Sequence, residues 1–174
     1  LEPKRYTAKN IEPLPKGKGS YLLVLRLPEP RTIQVGRLGR IAFARGWYAY
    51  AGSAFGPGGL AARLRHHLEP VRRPHWHIDY LRAEARVIDI WTAEGLPCRE
   101  HDWASALTKG IGAGTGIRGF GCSDCRCPSH LIYFNHGFNH GFNRGFNRGF
   151  NRRPAKAWLM KVLGEGTVKC CIRK

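Results

Sequence analysis

Acidic residues are scarce in this chain: 12 Asp and Glu stand against 29 Lys and Arg, leaving a net charge of +17. A field of that size attracts phosphate backbones or other anionic surfaces. DNA, RNA and ribosomal surfaces all satisfy it, so charge sets the class of partner without choosing within it. Long apolar runs are missing as well. None reaches the roughly 18 residues that a bilayer-spanning helix needs. The start, LEPKRYTAKNIEPLPKGKG, has no uninterrupted apolar h-region, so secretion by a signal peptide is not expected. A disulfide framework is the third absence. Six cysteines lie at 98, 122, 125, 127, 170 and 171, three of them within six residues. That spacing reads as a metal or thiolate cluster, and a reducing cytoplasm is the expected compartment. The adjacent Cys170 and Cys171 carry no reading of their own.

What is present is a folded protein. The 174 residues suffice for one domain with a real core, and 43% hydrophobic residues with five Trp and eight Phe argue against disorder of the whole chain. Residues 1–18 are polar and proline-bearing and read as a flexible arm. SYLLVLRL at 20–27 is a buried strand, TIQVG at 32–36 a short partner, and Gly46–Gly52 another strand with Trp47, Tyr48 and Tyr50 suited to a pleated surface. Gly56, Pro57, Gly58 and Gly59 make a turn, after which apolar residues at 60, 61, 64 and 68 have helical spacing. PHWHIDYL at 74–81 has Pro74 placed to start a helix, the preferred reading, while Trp76, Ile78 and Tyr80 alternate as in a strand.

Further on, 85–93 reads as a strand and 99–110 as a helix, with acid at its start and Lys109 then Gly110 at its end. The stretch 111–121 is too glycine-rich for regular structure, and 129–134 is one more strand. The repeat FNHGFNHGFNRGFNRGFNRR follows, reaching residue 153. Its period of four fits no strand, and a glycine in every unit opposes a helix. It reads as a flexible basic tract, or as a nucleic-acid-contacting tail with Phe for stacking and Arg for phosphates. The last part, 154–174, holds AKAWLMKVL, an amphipathic segment or a resumed strand, and is expected to pack on the domain.

Arg63 and His67, four residues apart, share a helix face. A guanidinium offers fixed donors to phosphate oxygens, and imidazole carries a proton near neutrality. By itself this pair is a weak pattern, more often a basic face exposed to water. Its surroundings are more specific. Gly19-Ser20-Tyr21 opens the first strand, Tyr50-Ala51-Gly52 closes another, and Glu100 lies on a later helix. With the segments YAGSAFG, HWHIDYL and FGCSDCRCPSHL, the chain resembles the GIY-YIG nuclease superfamily over 19–134. The closer match is to its uncharacterised branch found alone or fused to endonuclease III-type proteins.

The resemblance implies an α+β fold: a small three-stranded antiparallel sheet flanked by helices, here with additional short strands. It implies that Tyr21 and Tyr50 are the tyrosines of the first two motifs, Arg63 and His67 the helix pair, and Glu100 the metal-binding acid. Members cut DNA phosphodiesters with one divalent metal. On that pattern Glu100 holds Mg²⁺, Tyr50, or Tyr21 with His67, takes a proton from the attacking water, and Arg63 neutralises transition-state charge. A phenol with a free pKa of about 10 is a poor base at neutral pH and needs help. Two features depart from the pattern. GSY and YAG replace GIY and YIG, and no Asn occurs between Glu100 and Phe134, where the nuclease motif has one. Asp124, Ser129 and His130 are the substitutes in reach, and Asp102 is an alternative acid on the same helix.

Cys122, Cys125, Cys127 and His130 spell C-x2-C-x-C-x2-H, four ligands able to complete a tetrahedral Zn²⁺ site and to pin a glycine-rich loop. The C-x-C step is tighter than in common zinc modules, and buried or reactive thiols are the other reading. His75 and His77 can reach a metal or phosphate, although Trp76 and Tyr80 beside them suit packing. The expected function is a Mg²⁺-dependent endonuclease acting on nucleic acid, with DNA preferred. The alternatives are a nucleic-acid-binding module without hydrolysis and a zinc-stabilised accessory protein that docks on a DNA-repair partner.

Overall fold

The computed structural model describes residues 4–7, 13–95, 97–109, 114–134 and 160–161. In chain order the strands are Lys4–Thr7 (β1), Gly19–Leu27 (β2), Arg31–Gln34 (β3), Arg40–Phe43 (β4) and Gly46–Ala54 (β5). Helices Gly59–Leu68 (α1) and His77–Arg82 (α2) come next, then strand Arg86–Glu94 (β6), helix Glu100–Lys109 (α3), and strands Thr115–Gly116 (β7) and Leu131–Phe134 (β8). The class is α+β. The repeat at 135–153 lies outside the described residues, as does most of 154–174.

Three nine-residue strands, β2, β5 and β6, form the heart of a six-stranded antiparallel sheet of order β1-β6-β2-β5-β8-β7. Beside these three long strands the sheet carries the additional short strands expected, β1, β7 and β8. β2 takes the middle because both of its faces are apolar: Tyr21, Leu22, Leu23, Val24 and Leu25 are each at most 2% exposed. Side-chain alternation then sends Tyr21, Leu23 and Leu25 to one core with α1 and α2, and Leu22 and Val24 to another with α3. The molecule thus has helices on both faces of one sheet.

The segment at 32–36 does not partner the first strand. Residues 32–34 fall in β3, which pairs with the unforeseen β4 in a separate two-stranded ribbon, from Arg31 opposite Phe43 to Gln34 opposite Arg40. The reason is local polarity. β3 is largely exposed, and both edges of β2 are taken by the longer β5 and β6. A turn at Gly36–Leu38 closes the ribbon, with the Leu38 N–H donating to the Val35 carbonyl. Within the expected arm, Lys4–Thr7 adds an edge strand on β6, and Arg5 reaches the Asp89 carboxylate at 2.8 Å. The helix expected over 74–81 forms three residues later, at His77.

At the other end of the chain, Met160 packs against the α3-side core. No helix among the described residues is long and apolar enough to cross a membrane. Trp103 anchors α3, with no exposed surface, in a cluster with Leu22, Val24 and Trp91. Trp103→Ala is expected to cost about 3–5 kcal/mol of unfolding free energy. Chemical denaturation checks this, and a loss below about 1 kcal/mol would mean that α3 is not part of the cooperative core.

Candidate active site

The neighbouring ends of β2 and β5 place the two tyrosines. Tyr21 lies directly opposite Gly52 in the ladder, and Leu23 opposite Tyr50. A Cβ at residue 52 would fall on the Tyr21 ring, so only glycine lets that phenol lie across β5. The Tyr21 and Tyr50 rings sit 6.4 Å apart on the α1 side of the sheet. After the turn, where Gly58 takes φ +78°, α1 presents Arg63 and His67. The Arg63 guanidinium stacks 3.9 Å from the Trp76 ring centroid, a cation–π contact that holds a flexible cation in one place. α3 begins beside β2 because the Ser20 hydroxyl accepts the Arg99 N–H at 2.7 Å, which places Glu100 in the first turn.

These elements enclose a hollow of about 360 Å³. Tyr21, Tyr50, Arg63 and Glu100 line it together. His67 does not. It is buried behind the wall, with Nε2 2.8 Å from the Tyr21 hydroxyl. Of the substitutes for the missing asparagine, Asp124 and His130 face the hollow, whereas the Ser129 hydroxyl donates to the Leu131 carbonyl within its own loop. Asp102 is buried outside the hollow, leaving Glu100 as the helix acid that lines it. His75, Trp76 and His77 line the wall as well, and His77 Nδ1 accepts the Gly121 N–H at 3.0 Å, tying α2 to the glycine-rich loop.

Asp79 went unnoticed in the sequence. Fully buried, its carboxylate accepts the backbone N–H groups of His75 and Trp76 at 3.0 Å each and faces His66 Nε2 and Arg82 Nη1 at 3.1 Å each. Burial alone would raise its pKa, but the Trp76 and His75 hydrogen bonds and then His66 more than offset this and hold it below the usual carboxylate value. It lies 3.9 Å from His67 Nδ1, an atom with no hydrogen-bond partner among the described residues. The only hint in sequence was an acid within the aromatic run HWHIDY.

Burial sets the protonation of the phenols and of His67. Desolvation, then the neighbouring Tyr50, raises Tyr21 well above its ordinary value; desolvation, then the Glu100 charge, raises Tyr50. Arg63 pulls both down without reversing the shift. Neither phenol is a standing base at neutral pH. Desolvation, then Arg82, lowers His67 to about 3, with Asp79 offsetting part of it. His67 is therefore a neutral hydrogen-bond partner for Tyr21.

The cysteine-rich loop gathers a different set from the one its spacing suggested. Four atoms of His101, Cys125, Cys127 and His130 lie within 4.8 Å of one another, and this group can hold a metal such as zinc. His101 Nδ1 is 3.0 Å from Cys127 Sγ and 3.3 Å from His130 Nε2, and Cys125 Sγ is 3.5 Å from His130 Nε2. Cys122 is outside the group. Its thiol donates to the Phe120 carbonyl at 3.4 Å and is held protonated by burial and by Cys125 beside it. The fourth place falls to His101, because α3 runs past the loop and no spacing within the loop reveals a ligand from a helix.

Depression of His67 makes folding sensitive to acid. The folded state resists protonation that the unfolded state accepts at about 6.5, so His67 adds nothing to stability loss above that pH. Stability falls as pH drops from about 6.5 towards the folded value of about 3. The full shift corresponds to roughly 4–5 kcal/mol. His67→Gln is expected to flatten the pH dependence of the unfolding free energy over that window, and an unchanged slope would contradict the burial argument.

Searches among curated proteins and among solved structures give no match. A family model does match, over residues 20–148, a span that takes in all the residues around the hollow and the cysteine–histidine group. The chain belongs to the family described as domain of unknown function DUF123.

Proposed function

We propose that the hollow binds a nucleic-acid backbone and hydrolyses a phosphodiester, DNA being the preferred substrate, in the manner of GIY-YIG nucleases. One observation carries the reading: an arginine, a carboxylate and two phenols, far apart in sequence, line one open hollow in a chain of net charge +17. The GIY-YIG likeness draws further support from the antiparallel core of β2, β5 and β6 and from the helix that carries Arg63 and His67.

A divalent cation fits this donor set. Mg²⁺ is commonly held by one or two carboxylates together with substrate phosphates, and Glu100 and Asp124 both line the hollow. Glu100 is the residue that would hold it. Bound there, the cation supplies charge neutralisation at phosphate oxygens. The chain's own residues do the rest. Arg63, steadied on Trp76, bonds the phosphate and meets the charge that grows in the transition state. Tyr21 relays a proton: its oxygen takes one from the attacking water while its own passes along the 2.8 Å contact to His67 Nε2. Asp79, 3.9 Å from Nδ1, compensates the charge that His67 then carries. Tyr50 stays a neutral phenol and orients the water or a phosphate oxygen.

A second reading is a module that binds nucleic acid without cutting it. The low proton affinity of His67, about 3, and the raised phenols favour it.

A nicking assay over a panel of structured DNAs separates the two. With Mg²⁺, cutting is expected, with loss in EDTA. Glu100→Ala and Arg63→Ala should each lower the rate by roughly 10²–10³, and Tyr21→Phe should fall with them. Binding without cutting by every variant selects the second reading. Cutting that survives EDTA or Arg63→Ala sinks the first.

A further inference from the structure

We propose that His101, Cys125, Cys127 and His130 hold a structural Zn²⁺ whose bound His101 fixes the Glu100 carboxylate in the hollow. The zinc site stands without the nuclease reading; the link to Glu100 deepens that reading and rests on it.

The first argument is metric. With Zn–N near 2.0–2.1 Å and Zn–S near 2.3 Å, a tetrahedron has N···N edges of roughly 3.4 Å and N···S edges of roughly 3.5 Å. The edges in the structure are 3.3 Å between His101 Nδ1 and His130 Nε2, 3.5 Å between Cys125 Sγ and His130 Nε2, and 3.0 Å between His101 Nδ1 and Cys127 Sγ. Two are already at metal-bound length, and the third needs to open by about half an ångström. The second argument is chemical. Two imidazole nitrogens and two sulfurs converge where His101, Cys125 and His130 are 4%, 7% and 2% exposed. Cys127, the fourth, is half-buried, and His101 Nδ1 meets both Cys127 and His130, although one ring nitrogen has a single proton to give. A cation that takes one lone pair from each of the four resolves this crowding. The cysteines are thiols rather than disulfides, as such a site requires.

The link to the hollow runs through the other nitrogen of the same ring. His101 Nε2 is 3.4 Å from Glu100 Oε1. A histidine that binds metal through Nδ1 must carry its proton on Nε2, and that N–H is commonly donated to a carboxylate. Here the carboxylate is the one lining the hollow. Zinc thus selects the tautomer, the tautomer orients Glu100, and the ion also joins the first turn of α3 to the loop that holds Asp124 and His130. His101 is a zinc ligand and, towards the hollow, a positioning residue.

The full chain, purified without a histidine tag or chelator, is expected to contain about one zinc per chain by elemental analysis. Replacement by Co²⁺ should give tetrahedral ligand-field bands and a charge-transfer band of two-thiolate intensity. Cys122→Ser should keep both signals. Cys127→Ser and His101→Ala should lose zinc, and His101→Cys, which supplies a ligand again, should retain it with three-thiolate intensity, an outcome that misfolding cannot mimic. Zinc far below one per chain with no cobalt bands, or loss in Cys122→Ser with retention in His101→Ala, overturns the site.

The link is read in the same zinc-loaded His101→Cys protein by Mn²⁺ binding, followed through the electron paramagnetic resonance of free Mn²⁺. Affinity should fall roughly 10-fold or more relative to the wild type. Unchanged affinity overturns the link while leaving the zinc site intact. A wild type that contains zinc but binds no Mn²⁺ in the hollow overturns both the link and the cation-dependent nuclease reading, and again leaves the zinc site standing.

Discussion

A buried carboxylate holds one wall of the hollow together. Asp79 has no exposed surface, and an isolated charge there would be prohibitive. Two backbone N–H groups, Arg82 and His66 surround it instead. That satisfaction has structural consequences beyond its own energy. α2 is only six residues long, too short to persist by helix propensity, and Asp79 closes its first turn. Trp76, fixed by the same bond, is the surface on which Arg63 rests. His67, edge-on to Trp76, holds the Tyr21 hydroxyl. The cation and one phenol of the candidate site therefore depend on a single anion that neither of them touches at hydrogen-bond distance.

The opposite wall is built from the other face of the sheet. α3 packs Trp103, Ala104 and Leu107 beneath β2 and β5, while its first turn emerges where those strands end. Glu100 reaches the hollow only because the helix begins there, at the Ser20 hydroxyl. The glycine-rich loop closes the gap between the walls. Its anchors are Phe120 in the core, the Gly121 bond to His77, and the cysteine–histidine group on α3. Gly121, at φ +76°, has Tyr50 and His130 each within about 3 Å of where a Cβ would lie, so the loop passes as close to the phenol as backbone allows.

What could be read from sequence follows the range of each signal. SYLLVLRL declared a buried strand because every residue answers to the same environment, and Leu60, Leu64 and Leu68 declared α1 by period. Tyr21, Tyr50, Arg63 and Glu100 are grouped in sequence by the resemblance alone, since nothing in local spacing brings positions 21 and 100 to one hollow. Pairings between distant strands leave no local mark, so the sequence offers residues 32–36 as a partner for β2, whereas β3 pairs with β4 in its own ribbon. The cysteine spacing misled for a related reason. C-x2-C-x-C-x2-H counts ligands within the loop, whereas the loop's fold turns Cys122 aside and admits His101 from a helix 24 residues before Cys125. Asp79 was invisible because a buried acid and a solvated one look alike in sequence.

The proton ledger of the hollow constrains any hydrolytic mechanism. A phenol with a free pKa of about 10 is ionised to roughly 0.1% at pH 7, and burial lowers that fraction further for both tyrosines. A resting phenolate is therefore the wrong starting state. Transfer through Tyr21 avoids it, because the phenol never carries a full charge, and the cost moves to His67. Protonating a group with a pKa of about 3 at pH 7 costs roughly 5 kcal/mol. A turnover near 10 s⁻¹ corresponds to a barrier of about 16 kcal/mol, so this protonation alone takes up about a third of it, before deprotonation of the water is counted. The His67 value of about 3 already contains the offset from Asp79 beside Nδ1, and on the proposed mechanism the anionic transition state on the far side of Tyr21 would lower the cost further. Arg63, also counted within that value, works against protonation of His67, while on the proposed mechanism it would lower the cost of the phosphorane. Stacking on Trp76 holds the guanidinium at the wall of the hollow, the side on which the proposed substrate's charge would grow.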